Sequence, residues 1–308
     1  MKRALNVILL AFISVVFGSC DKNVFSNGAV TEKNDTLPEA FQIVEFRDNV
    51  NVMLKHCDEE HFSRLVHIKT AENLIDDIKT EIVPEVVTAN DGHDTLKLNR
   101  LIISNENTYN YLRPYDYPLE VTVYYDSIYG IFFYSNGIVE TDTIKGIAFP
   151  HSTSVDDSVK GHSKYNTQIT VLGGSGDLHL LLSGNEFSVM KTNYVNGTVD
   201  IFAEGNTGYA ETKTDYNCHG LIDYSELEIH KHNILHRGTN RIYTRVFSTI
   251  PANNVNNGEI YYIRYKKKTF DCLPADDEHP WAYYDSVVHF CPHAKQLTGE
   301  GIYSIDRY

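Results

Sequence analysis

Between residues 173 and 265 the chain repeats a pattern in which a glycine leads into a short apolar-polar alternation. The copies are Gly176-Asp177-Leu178, Gly197-Thr198-Val199-Asp200-Ile201, Gly220-Leu221-Ile222-Asp223-Tyr224, Gly238-Thr239-Asn240-Arg241-Ile242 and Gly258-Glu259-Ile260-Tyr261. The glycines stand 21, 23, 18 and 20 residues apart. A strand-turn unit recurring near twenty residues can bury its apolar face only against the next copy, which is the logic of a β-solenoid. A β-sandwich also spaces its turns, but on a beat of roughly 8–12 residues, about half of what is seen here. The alternation places Val199, Ile201, Ile222, Tyr224, Ile242 and Ile260 in one inner column. It turns Asp200, Asp223 and Arg241 outward.

The rest of the chain is also strand-like. Val50–Leu54, Arg64–Lys69 and Leu119–Tyr125 read as strands, the last alternating before an aromatic end. Ala71–Ile82 carries weak helical spacing at Leu74, Ile75 and Ile78 and is expected to form one short helix stopped by Pro84. The fold class expected is therefore all-β, a solenoid over residues 41–265. Residues 20–40, polar and aperiodic, read as a tether. Residues 266–308 read as an irregular C-terminal tail of unassigned role.

The amino terminus carries a different signal. Met1-Lys2-Arg3 precedes an apolar run from Leu5 to Phe17, too short to span a bilayer comfortably. The run ends in Phe17-Gly18-Ser19-Cys20, which resembles a lipobox. Residues 1–19 are accordingly expected to be a removable lipoprotein signal peptide, and Cys20 the lipidated residue, the lipid making the membrane a partner. Several acyl chains on one cysteine would give lasting anchorage, where one alone is marginal.

Composition excludes some functions. With 27 Lys and Arg against 41 Asp and Glu, the net charge is −14, and losing Lys2 and Arg3 makes the mature chain more acidic still. Such a chain repels phosphate backbones, so nucleic acid is not expected as a partner. No Gly-x-Ser-x-Gly elbow and no Walker loop is present. No cofactor is expected.

The residues from Glu72-Asn73-Leu74-Ile75 and Thr80-Glu81-Ile82-Val83, through Asn105–Tyr115, to Gly174-Ser175-Gly176-Asp177 are similar to a family of exported bacterial lipoproteins. That family is described as "putative auto-transporter adhesin, head GIN domain". The resemblance covers roughly residues 41–265. It implies a right-handed, single-chain β-helix-like fold, a place in the cell envelope at the outer membrane, and no enzymatic activity. The function expected is a binding surface for a protein partner or a glycan.

The rival expectation is a β-helix carbohydrate-active enzyme such as a polysaccharide lyase. It rests on Asp177, Asp200, Asp223 and Glu259 as a carboxylate ladder that could hold calcium and a uronate, with Arg241 as base. Two metal sets were also open on residue type: His230, His232 and His236, or Cys272, His279, Cys291 and His293. In an exported protein a Cys272–Cys291 disulfide is the preferred use of those thiols. Tyr109, Tyr111, Tyr115, Tyr117, Tyr124, Tyr125, Tyr129, Phe132, Phe133 and Tyr134 crowd one stretch, mostly as core and partly as binding surface. Six Asp-Ser/Thr-apolar triplets resemble an O-glycosylation sequon of exported proteins. They nominate Thr36, Thr95, Ser127, Thr143, Ser158 and Ser286.

Overall fold

The computed structural model describes residues 27–88, 95–107, 117–144, 146–148, 165–184, 188–250, 252–254, 258–264, 294–296 and 302–305. The described part is all-β. In chain order its strands are β1 (Val30–Thr36), β2 (Ile43–Asp48), β3 (Asn51–His56), β4 (Leu65–Ala71), β5 (Ile78–Thr88) and β6 (Thr95–Asn105). They continue with β7 (Glu120–Tyr125), β8 (Gly130–Ser135), β9 (Ile138–Ile144), β10 (Ile147–Ala148), β11 (Tyr165–Gly174), β12 (Asp177–Ser183) and β13 (Val189–Gly197). The last are β14 (Asp200–Cys218), β15 (Ile222–His236), β16 (Arg241–Thr249), β17 (Ala252–Asn254), β18 (Glu259–Arg264), β19 (Ala294–Gln296) and β20 (Ile302–Ile305).

The strands pair into two faces, and the chain passes from one to the other on each turn. On one face β7, β3, β9, β12, the first part of β14, the first part of β15, β16 and β18 pair in parallel in that order. On the other, β6, β2, β8, β11, β13, the second part of β14, the second part of β15 and β17 do the same. The long β14 serves both faces, and Gly205, at φ 101°, marks the corner where it bends. Only glycine takes that backbone conformation without steric cost.

Alternation decides what enters the core. Register places Ile68, Val121, Val52, Val139, Leu178, Ile201, Ile222, Ile242 and Ile260 in one continuous row across the first face. Every one of these side chains is buried. Each contributes about 1.5–3 kcal/mol on leaving water, which offsets the ordering of short strands that no coil could sustain alone. All six residues expected in the inner column are buried. Asp200 and Asp223 are half-buried at the surface, and Arg241 is exposed.

The ends of the stack are antiparallel. β1 pairs with β4 and β4 with β7; β5 pairs with β6; β20 pairs with β18. A parallel stack left bare would offer unpaired backbone groups to another chain, and antiparallel strands occupy its edges at β6, β7 and β18.

Three expectations are corrected here. Residues 30–36, read as part of the tether, form β1, because Val30–Thr36 finds a complete backbone partner in Leu65–Ala71. Ala71–Ile82 is not an α-helix: a single 3-10 turn, Ile75–Asp77, leads straight into β5. Pro84 lies within β5 rather than ending an element. Among the described residues β5 pairs only with β6, so a residue lacking an N–H is accommodated on its open edge. Finally, the expected irregular tail returns in part as β19 and β20, which pair with each other and place β20 against β18.

Candidate functional site

The outward row beside the inner column carries the chemistry. Register sets His179 beside Phe202, Phe202 beside Asp223, Asp223 beside Tyr243 and Tyr243 beside Tyr261. Neighbouring strands lie about 4.8 Å apart, so these five side chains form a ladder with one rung per strand. The His179 and Phe202 rings stack at 4.8 Å between centroids, and those of Tyr243 and Tyr261 at 4.9 Å. The Tyr261 hydroxyl is held protonated beyond its ordinary range, by burial first and then by Glu259.

A cleft of about 260 Å³ opens on this face. Its walls include Thr141, His179, Phe202, Glu204, Asp223 and Glu226. Two irregularities in register make the room. β15 gains a residue over β14 between Asp223 and Glu226, and further residues over β16 between Tyr224 and Glu228. The bulge leaves Ser225 without a partner on β14, while Glu226 stays opposite Glu204. Bulges next to binding sites commonly re-aim side chains in this way. Asp223 Oδ1 accepts the Ser225 N–H at 2.9 Å, which fixes the carboxylate at the base of the bulge. Arg245 Nη2 reaches Glu226 Oε1 at 3.5 Å across the rim. The cleft thus offers one aromatic stack, three carboxylates and two hydroxyls.

The carboxylate ladder expected of a lyase is not assembled. Asp177 and Asp200 are register partners, but the strand after them brings Leu221 to that place, its N–H donating to Asp200 Oδ1 at 2.6 Å. Arg241 pairs with Glu259 on the next two strands, Nε to Oε2 at 3.1 Å. Asp223 belongs to the neighbouring row and enters the cleft without the other four. The cause is the variable step of the repeat, which moves Asp223 two positions along its strand relative to Asp200.

The histidine set is also divided. His230 is exposed while His232 and His236 are wholly buried, because the strand turns the corner between faces at residues 230–231. Both ring nitrogens of His232 are engaged, Nε2 with Thr212 Oγ1 and Nδ1 with Thr244 Oγ1, each at 2.8 Å. His236 bonds Thr214 Oγ1 at 2.7 Å and the Asn240 carbonyl at 3.0 Å. Burial holds His232 neutral, its pKa pulled down from 6.5 to about 3. These rings are core hydrogen-bonding groups rather than ligands.

Of the aromatic stretch, Tyr124, Tyr125 and Phe133 are buried, Tyr117, Tyr129 and Phe132 half-buried, and Tyr134 exposed. Thr36 and Thr95 are exposed, and Ser127 and Thr143 half-buried. Cys20, Tyr109, Tyr111, Tyr115, Ser158, Cys272, His279, Ser286, Cys291 and His293 lie outside the described residues. Among the described residues no helix is long and apolar enough to cross a membrane.

Parallel strands stacked in two faces, with a polar and aromatic outer row, define an all-β protein. A family model described as "putative auto-transporter adhesin, head GIN domain" matches residues 40–264, and the chain belongs to that family. A crystal structure of a putative adhesin from Bacteroides fragilis is similar in fold. Its TM-score is 0.54 at 13% identity, over 79% of this chain and 93% of that one. A putative adhesin from Parabacteroides distasonis matches with a TM-score of 0.41 at 12% identity, over 79% and 93%. A putative lipid binding protein from the same species gives 0.41 at 14%, over 79% and 99%. Among curated proteins none matches.

Proposed function

We propose that this chain is a non-enzymatic binding protein of the cell envelope, anchored by lipid on Cys20 and displaying a right-handed β-solenoid. Its ligand site is the cleft and ladder running from His179 to Tyr261. The observation that carries this reading is the row of stacked rings beside carboxylates in an open cleft. Flat aromatic faces stack on the apolar faces of sugar rings, and carboxylates accept hydrogen bonds from sugar hydroxyls. The local carboxylates disfavour uronates, so the ligand class is a neutral or amino sugar chain. Membership of an adhesin family supports a binding role.

The test is a titration of the mature protein against neutral, amino-sugar and uronate oligosaccharides. Binding of the first two that is lost in Phe202→Ala and Tyr243→Ala supports the reading. Binding only of uronates, or binding that both variants retain, overturns the site. For the anchor, Cys20→Ala should leave the membrane fraction or remain unprocessed; a processed, lipid-bearing variant would show that Cys20 is not the anchor.

A further inference from the structure

A second group of side chains lies far from the cleft in sequence, at the ends of β3 and β7. These strands are register partners through His56 and Tyr125, and the Cys57 N–H extends the ladder by donating to the Tyr125 carbonyl at 2.7 Å. Cys57 and Asp126 therefore leave the sheet side by side. A ring nitrogen of His56, the Cys57 sulfur and an Asp126 carboxylate oxygen all lie within 4.8 Å of one another. Cys57 is a free thiol, half-buried like His56, and Asp126 is exposed.

Two further observations bear on the imidazole. Its Nδ1 lies 3.0 Å from the Cys57 carbonyl oxygen. A carbonyl can only accept, so the proton sits on Nδ1 and Nε2 carries the free lone pair. The ring also stands edge-on to Tyr125 at 5.7 Å, and the His56 N–H donates to Asp142 Oδ2 at 2.7 Å. The same Asp142 accepts from Tyr125 Oη at 2.8 Å, so backbone and ring are both held from behind. Asp58, Glu59 and Glu60 follow Cys57 directly and are exposed, giving the mouth of the group an anionic field.

We propose that His56, Cys57 and Asp126 form a three-ligand site for a borderline divalent cation, zinc by its donor set, with water in the fourth position. Thiolate, imidazole and carboxylate together suit Zn²⁺ rather than Ca²⁺ or Mg²⁺, which take oxygen ligands. Ligands on the ends of two hydrogen-bonded strands need only small side-chain rotations to close on an ion. The site is independent of the cleft and makes no claim on glycan binding.

The test uses the full chain freed of metal and titrated with zinc, then with cobalt(II) as a spectroscopic reporter. The expected result is one equivalent of zinc bound and a thiolate-to-cobalt charge-transfer band. Cys57→Ser should abolish the band, and His56→Gln and Asp126→Asn should each weaken zinc binding by roughly tenfold or more. Asp126 is exposed, so its variant keeps the test open should the other two fold poorly; circular dichroism checks each. No zinc bound, a cobalt band that survives Cys57→Ser, or affinity unchanged in Asp126→Asn would overturn the site. A calcium or magnesium preference over zinc would do the same.

Discussion

Gly220 lies so close to Val199 of the preceding coil that a Cβ on the glycine would overlap the valine's carbonyl oxygen. The same contact recurs along the stack, Gly137 against the Val50 carbonyl and Gly176 against that of Gly137. Here glycine is required by proximity of backbones. Gly220→Ala should therefore cost about 3 kcal/mol or more, since backbone must move to admit the methyl. Gly130→Ala is the control: its added carbon would meet Ile43 at 3.4 Å, an ordinary contact, and should cost less than about 1 kcal/mol. Urea midpoints of the two variants check the contrast.

Ile222 and Asp223 test the alternation. Ile222 sits between Ile201 and Ile242 in the inner row and is wholly buried. Ile222→Asp puts an unpaired carboxylate there and should unfold the protein. Asp223→Ala removes a half-buried surface carboxylate that accepts the Ser225 N–H, and should cost about 1 kcal/mol or less. Thermal melts that rank the two in the opposite order would refute the assigned faces.

The inner column was legible because it needs only a period of two and a recurrent step. The glycine beat was legible as a repeat but not as a register. Gly197 does not lie over Gly176; it pairs with Cys218, and its added Cβ would meet the Gly174 carbonyl. Gly176 instead belongs to the column of Val199-like positions that continues to Gly220. The glycines thus fall in two adjacent columns, and this offset is what separates Asp223 from the row of Asp200. Pairing between coils is long-range, and a variable step leaves it undetermined until the strands are stacked. The His56–Cys57–Asp126 group escaped for the same reason: its members come from strands whose pairing no local spacing announces. The cleft was hidden in a bulge.

An outer-face ion cluster gives a prediction about side-chain shape. Arg100 donates through Nη1 to Glu45 Oε2 and through Nε to Glu85 Oε2, each at 2.6 Å, while its guanidinium lies 4.4 Å from the centre of the Phe132 ring. Glu45 is only 5% exposed, so its charge depends on Arg100 and on Arg47, whose Nε lies 2.6 Å from Oε1. The hydrogen bond to Glu85 is the main cause that raises the Arg100 pKa above its ordinary value. Arg100→Lys keeps the charge but loses the planar fork and the ring contact, and should cost about 1–2 kcal/mol. Arg100→Ala leaves Glu45 with half its partners and should cost about 3 kcal/mol. Chemical denaturation of both variants measures the difference.

The neutral His232 sets an acid limit on stability. Its folded pKa is pulled down from 6.5 to about 3 by burial, while the unfolded chain ionises near 6.5. Above pH 6.5 neither state is protonated there, so the stability is fully present. As pH falls below 6.5 the unfolded chain gains a proton that the folded chain refuses, and stability declines until about pH 3. The slope from this one group is about 1.4 kcal/mol per pH unit, so about 1.4 kcal/mol is gone by pH 5.5. His236 is shifted in the same direction, chiefly by burial, and steepens the loss. His232→Gln keeps hydrogen-bonding capacity toward Thr212 and Thr244 without a titrating group. It should lower stability at pH 7.5 yet flatten the fall between pH 6.5 and 5.5. A wild-type protein whose melting temperature is level across that interval, or a His232→Gln protein that falls just as steeply, would show that the buried imidazole is not what limits the fold in acid.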